Sequence, residues 1–197
     1  MIQSVHNPLY NIPNILTMLR VAAIPVMVYF LMTPERCSNF WAAAIFSAAA
    51  FTDWLDGYLA RRMQIVTVFG KFMDPLADKL IVMSAMIMIL PYDRVPAWMV
   101  LVILGREIII TGLRGVASNE GIVIPASNLG KFKTIFQLVA IIGLLLHYDY
   151  NWFLGIAHPL LTVNMHNAGM FFLWIATLLT IWSGVDYLAK FTKLLTR

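Results

Sequence analysis

The chain has 197 residues, of which 60% are apolar and only 12% charged, and its mean hydropathy is +0.78. A soluble domain averages about 45–50% apolar and about 25% charged residues, so this composition excludes an ordinary soluble protein and points to an integral membrane chain forming one domain over residues 1–197. The net charge of +4 comes without any basic–aromatic module for nucleic acid; it fits cations that flank membrane spans and face anionic lipid.

Residues 1–14 are polar, with Val5, Leu9, Tyr10 and Ile12 interspersed. They are expected to lie along the membrane interface as a short amphipathic helix. No basic stretch precedes an apolar core there, so no cleavable signal is expected. Six apolar stretches follow, near residues 15–32, 40–59, 70–90, 96–113, 134–146 and 168–188. All but the fifth, which is shorter, approach the ~20 residues needed to cross a bilayer, and the set predicts an all-α, polytopic architecture of six transmembrane helices. The segment from His147 to Asn167 is apolar but carries Pro159 and several polar groups, and reads as interfacial.

An even number of spans puts both termini on one side. Loops and tail on that side hold Arg61, Arg62, Lys71, Arg114, Lys131, Lys133, Lys190, Lys193 and Arg197, whereas the opposite loops hold Arg36 and Arg94. The positive-inside rule therefore predicts cytoplasmic termini. Trp41, Trp98 and Trp152 fall near span ends and read as interfacial anchors. The single cysteine, Cys37, excludes an intrachain disulfide. The histidines His6, His147, His158 and His166 lie toward the interface or the outer side and read as interfacial groups rather than nucleophiles.

Four acids do not belong in this setting. Asp53 and Asp56 lie near the cytoplasmic end of the second span, and Asp74 and Asp78 near the cytoplasmic start of the third. Spacings of i,i+3 and i,i+4 put each pair on one helix face. An isolated charge near a bilayer centre costs at least about 2.5–3.5 kcal/mol, and clustered carboxylates repel one another. Hard divalent cations bound by carboxylate oxygen neutralise such a cluster better than four salt bridges to Arg61, Arg62, Lys71 and Lys79. A charge network that fixes helix packing, or a proton or cation pathway, would also account for the acids. Neither explains the small residues beside them. Gly57 and Ala60 leave a shallow notch next to the aspartates, Gly70 leaves another, and Arg61 offers a planar donor fork for phosphate oxygens.

The string from Asp53 to Arg61, an eight-residue spacer and the string from Gly70 to Asp78 together read D-x2-D-G-x2-A-R … G-x3-D-x3-D. This resembles the signature of the CDP-alcohol phosphotransferases at all eight fixed positions. The opening Asn11–Arg20, Gly105–Ile108 and Gly130–Thr134 are similar to the bacterial phosphatidylglycerophosphate synthases within that family. The resemblance implies six transmembrane helices, a homodimer, and a site open to the cytoplasm of a bacterial inner membrane. It implies two divalent ions, Mg2+ or Mn2+, held by Asp53, Asp56 and Asp74 and approached by Asp78, which also serves as general base. It further implies that Gly57, Ala60, Arg61 and Gly70 hold the cytidine diphosphate of CDP-diacylglycerol, with Asn14, Thr17 and Arg20 beside the donor head group.

The acceptor implied by the resemblance, glycerol 3-phosphate, needs cations of its own. Arg106 sits inside an apolar span with Glu107 beside it as its expected partner, and Arg114, Lys131 and Lys133 lie around the next cytoplasmic loop. Thr134 and Gln137 are expected to add hydrogen bonds. The expected reaction is attack of the 1-hydroxyl on the lipid-side phosphorus, with departure of CMP and formation of phosphatidylglycerol phosphate. Inositol phosphate, serine or phosphatidylglycerol remain alternative acceptors for the same chemistry.

Overall fold

The computed structural model describes residues 12–33, 35–63, 68–119, 128–150 and 163–195. Among these residues it holds six long helices: α1 (Ile12–Leu31), α2 (Arg36–Met63), α3 (Val68–Ile89), α4 (Ala97–Asn119), α5 (Asn128–Leu146) and α6 (Met165–Leu195). The expected interfacial segment lies almost wholly outside the described residues; only its end, from Ile12, is seen, as the first turn of α1.

The helices outrun the apolar windows that predict them. The fifth window opens at Thr134, yet α5 begins at Asn128, and α6 continues to Leu195. Lysine and arginine end a hydropathy window but are good helix formers, so the helix continues past them. Chain ends are set by local hydrogen bonding instead. Asn164 Oδ1 accepts from the Asn167 amide at 2.7 Å, which caps the first turn of α6. His147 adopts a left-handed φ of 56° and its amide bonds the Gly143 carbonyl at 2.9 Å, closing α5. The stretch read as interfacial contributes one feature besides helix, a two-residue antiparallel pairing of β1 (Asp149–Tyr150) with β2 (Val163–Asn164).

The chain divides into two compact units, residues 1–88 and 89–197. In the first, α1 packs on α2, with Met27, Leu31, Phe46 and the small residues Ala42, Ala43 and Ala49 buried. Small side chains at such contacts let helix backbones approach closely. In the second, α6 packs against both α4 and α5. The α5–α6 contact is tightest at two glycines: a Cβ on Gly143 would lie 2.8 Å from the Gly169 Cα.

The surface is inverted relative to a water-soluble fold. Leu101 is 73% exposed, Trp182 70% and Phe51 61%, while Arg20, Asn39 and Lys133 are buried. Apolar side chains outward and polar ones inward suit a lipid solvent. Among the described residues, two helical segments, Asn14–Leu31 and Met165–Lys193, are long and apolar enough by themselves to cross a membrane.

Candidate active site

The first unit assembles an acidic centre from three helices. Asn14, Thr17 and Arg20 follow one another at three-residue intervals and are all buried, so α1 turns a polar stripe inward. Arg20 Nη1 lies 2.7 Å from Asp53 Oδ1 on α2. Thr17 Oγ1 donates to Asp74 Oδ1 on α3 at 2.5 Å. Among the described residues, a cation that reaches Asp53 thus comes from α1, far from the motif in sequence. The carboxylate of Asp53 is repelled by Asp78 and, less strongly, by Asp74, so these three acids share one electrostatic neighbourhood. Pro75 sits between Asp74 and Asp78 inside α3, where it cannot donate a helical hydrogen bond.

Among the described residues, no three His, Cys, Asp or Glu side chains form a ready-made metal cage. The side chains of Asp56, Gly57, Ala60, Arg61 and Gly70 are outside the described residues, although their backbones are helical within α2 and α3. The donor set that is seen nonetheless fits a hard divalent cation. It offers carboxylate oxygens whose mutual repulsion a cation would relieve, and the Asp53 side chain keeps 41% of its surface open despite its bond to Arg20.

The second unit assembles a basic centre. Arg106 on α4 contacts Glu107 Oε1 through Nη1 at 3.3 Å, the partner the sequence reading expected, and its Nη2 reaches Ser183 Oγ on α6 at 3.2 Å. Lys133, read from sequence as a phosphate ligand, is buried and forms an ion pair with the same Glu107 oxygen. Arg114, two turns beyond Arg106, lies over the Tyr187 ring with Cζ 5.6 Å from its centroid. The Arg114 charge acts repulsively on Arg106. Two buried polar atoms here have no hydrogen-bond partner, Arg106 Nε and the Tyr187 hydroxyl. Arg106 also lines an open groove of about 320 Å³ between α4 and α6, with Gly105, Thr180, Ile181 and Gly184 among its walls.

The remaining expected acceptor residues divide. Gln137 is buried, whereas Lys131 and Thr134 are exposed near the start of α5. The Thr134 hydroxyl donates to the Gly130 carbonyl at 3.1 Å, within its own helix. Ser183 and Tyr187 did not emerge from sequence reasoning. Their four-residue spacing was visible, but one serine and one tyrosine in an apolar helix carry no signal until an arginine is seen against them.

Residues 10–182 match the family described as CDP-alcohol phosphatidyltransferase. A Bacillus subtilis protein named CDP-diacylglycerol–glycerol-3-phosphate 3-phosphatidyltransferase is 39% identical over 194 residues, covering 92% of this chain and 95% of its own. Proteins of the same name from Haemophilus influenzae and Escherichia coli are 40% and 39% identical, each covering 91% of this chain and 92% and 94% of their own.

Proposed function

Because the chain belongs to the CDP-alcohol phosphatidyltransferase family, we infer that it is a membrane enzyme that transfers the phosphatidyl group of CDP-diacylglycerol to glycerol 3-phosphate, a step of phospholipid biosynthesis. The observation that carries this reading is the near-complete alignment, at 39% identity, with a relative of that stated activity. The two centres supply chemistry in keeping with it. An acidic centre suits a metal-assisted pyrophosphate donor, and a basic centre suits an acceptor that brings its own phosphate.

In this reading Asn14, Thr17, Arg20, Gly57, Ala60, Arg61 and Gly70 bind the donor. The acceptor is held by Arg106, Arg114, Lys131, Lys133, Thr134 and Gln137. Two ions, Mg2+ or Mn2+, would be held by Asp53, Asp56, Asp74 and Asp78, and would supply positive charge to a pyrophosphate donor. The 1-hydroxyl oxygen of glycerol 3-phosphate forms a bond to the phosphorus that carries diacylglycerol. The bond from that phosphorus to the CMP oxygen breaks, and Asp78 accepts the hydroxyl proton. No covalent enzyme intermediate is needed.

The same reading makes residues 1–197 one catalytic domain of six transmembrane helices in the bacterial cytoplasmic membrane. Both termini and the site face the cytoplasm, and the protein is a homodimer. A cytoplasmic site suits a donor that diffuses in the lipid and an acceptor that arrives from water.

The test is purified protein in detergent with CDP-diacylglycerol and a panel of alcohols. CMP release and phosphatidylglycerol phosphate are expected with glycerol 3-phosphate and not with serine, inositol phosphate or phosphatidylglycerol. Comparable turnover with any of the others would overturn the choice of acceptor.

A further inference from the structure

We propose that Ser183 and Tyr187 of α6 are positioning residues for the acceptor: together they form a seat that aims the guanidinium groups of Arg106 and Arg114 at its phosphate. The proposal rests on reading those arginines as acceptor ligands and adds the residues that hold them.

Ser183 and Tyr187 are four residues apart and share a face of α6; Arg106 and Arg114 are eight apart and share a face of α4. Two contacts and one clearance join the two faces. Ser183 Oγ receives Arg106 Nη2 at 3.2 Å and itself donates to the Thr180 carbonyl at 3.2 Å, so its lone pairs are turned toward the guanidinium. Gly184 clears the path of the arginine stem, since a Cβ there would stand 3.3 Å from Arg106 Cγ. Tyr187, only 5% exposed, presents its ring to Arg114 at a cation–π distance.

The seat answers a physical problem. Two like charges on long side chains repel, and left to themselves the side chains would part. A phosphate dianion is bound best by guanidinium forks already converged on it. Holding one arginine by its tip and the other by its face keeps each side chain in place before the acceptor arrives, which lowers the ordering entropy lost on binding. The bonding left open fits the same purpose, because Arg106 Nε is buried without a partner and remains a donor for an anion.

Steady-state kinetics of the full-length protein in mixed micelles of detergent and CDP-diacylglycerol, read as CMP release, test this. Tyr187→Leu is expected to raise the KM for glycerol 3-phosphate about five- to thirtyfold while donor KM and kcat stay within about twofold. Tyr187→Phe keeps the ring and should stay within about threefold of the parent. Ser183→Ala should raise acceptor KM about three- to tenfold. In an Arg114→Ala background, Tyr187→Leu should raise acceptor KM no further, because its effect passes through Arg114. Additive effects in that pair, or a Tyr187→Leu protein whose kcat and both KM values shift together, would overturn the proposal. Should Tyr187→Leu fail to fold, Ser183→Ala with Arg106→Ala forms the equivalent cycle, and additivity there overturns it equally. An Arg114→Ala protein with unchanged acceptor KM removes the acceptor assignment itself. A raised KM in Arg114→Ala with none in Tyr187→Leu removes only the seat.

Discussion

Asp78 lies one turn beyond Asp74 on α3, and its charge acts on Asp53 more strongly than that of Asp74. Replacing it by asparagine keeps volume and hydrogen-bonding capacity but removes the carboxylate proposed as proton acceptor. Asp78→Asn is therefore expected to lower CMP formation by at least about a hundredfold, the low end of general-base contributions, with the protein still folded in detergent. Turnover within tenfold of the parent would remove Asp78 from the base role. At this scale the motif was legible because charge in an apolar helix is costly, so four aspartates at helical spacing declare a site. Their partners were not legible. Thr17 reaches Asp74 across 57 positions of chain, and nothing in a linear pattern says that Arg20, 33 positions away, will meet Asp53. Lys133 teaches the same lesson. From sequence it is one of two lysines, with Lys131, near the start of the fifth apolar stretch, both expected as phosphate ligands. Its burial and ion pair with Glu107 separate it from exposed Lys131.

The helices themselves were readable from apolar length, and their order and number agree with the six expected stretches among the described residues. Their ends were read too short where charged residues continue a helix beyond its apolar core. Charges interrupt the apolar runs of the helices that build the two centres: Asp74, Asp78 and Lys79 fall within α3, and Arg106, Glu107 and Arg114 within α4. Packing between elements was the least legible property, since a glycine in a membrane helix signals close approach without naming its partner. The structure pairs Gly143 with Gly169. A Cβ on Gly143 would come within 3.0 Å of the Gly169 amide nitrogen and 3.1 Å of the Met165 carbonyl, and one on Gly169 would lie 2.8 Å from the Leu144 amide nitrogen. These obstacles are backbone and cannot rotate away. Gly143→Ala and Gly169→Ala are each expected to destabilise the α5–α6 contact by about 1–3 kcal/mol, lowering the detergent melting temperature by roughly 3–10 °C. Gly112→Ala, with nothing within 4 Å of its added Cβ, serves as the control and should leave it unchanged or slightly raised. A Gly143→Ala protein as stable as the Gly112→Ala control would mean that the two helices do not meet at these glycines.

At the scale of the whole molecule, apolar side chains outside and polar ones inside leave two kinds of chemistry for solution conditions to reach. One is the acidic centre. Chelation of divalent cations is expected to abolish CMP release, and Mg2+ or Mn2+ to restore it; full turnover in excess chelator would contradict the metal assignment. The other is the end of α5, outside the spans. There His147 packs edge-on to His166 at 4.9 Å between ring centroids, and Arg94 donates to the Leu145 carbonyl at 3.5 Å. Burial pushes the His147 imidazole below its ordinary value of 6.5, and the Arg94 and His166 charges push the same way, opposed by Asp149. Burial likewise lowers Arg94, but its guanidinium remains charged throughout the accessible range. A histidine whose folded value is depressed favours the neutral form in the fold. Its contribution to stability is complete above the unfolded value near 6.5 and is lost as pH falls through the lower folded value, because the unfolded chain takes up the proton first. Protonation in the fold would add charge beside Arg94. The melting temperature should therefore fall more steeply between pH 6.5 and 5 in the parent than in His147→Gln, which cannot charge, while the two run parallel from pH 7 to 8. Parallel curves over the whole interval would show that this imidazole does not feel its surroundings as the packing requires.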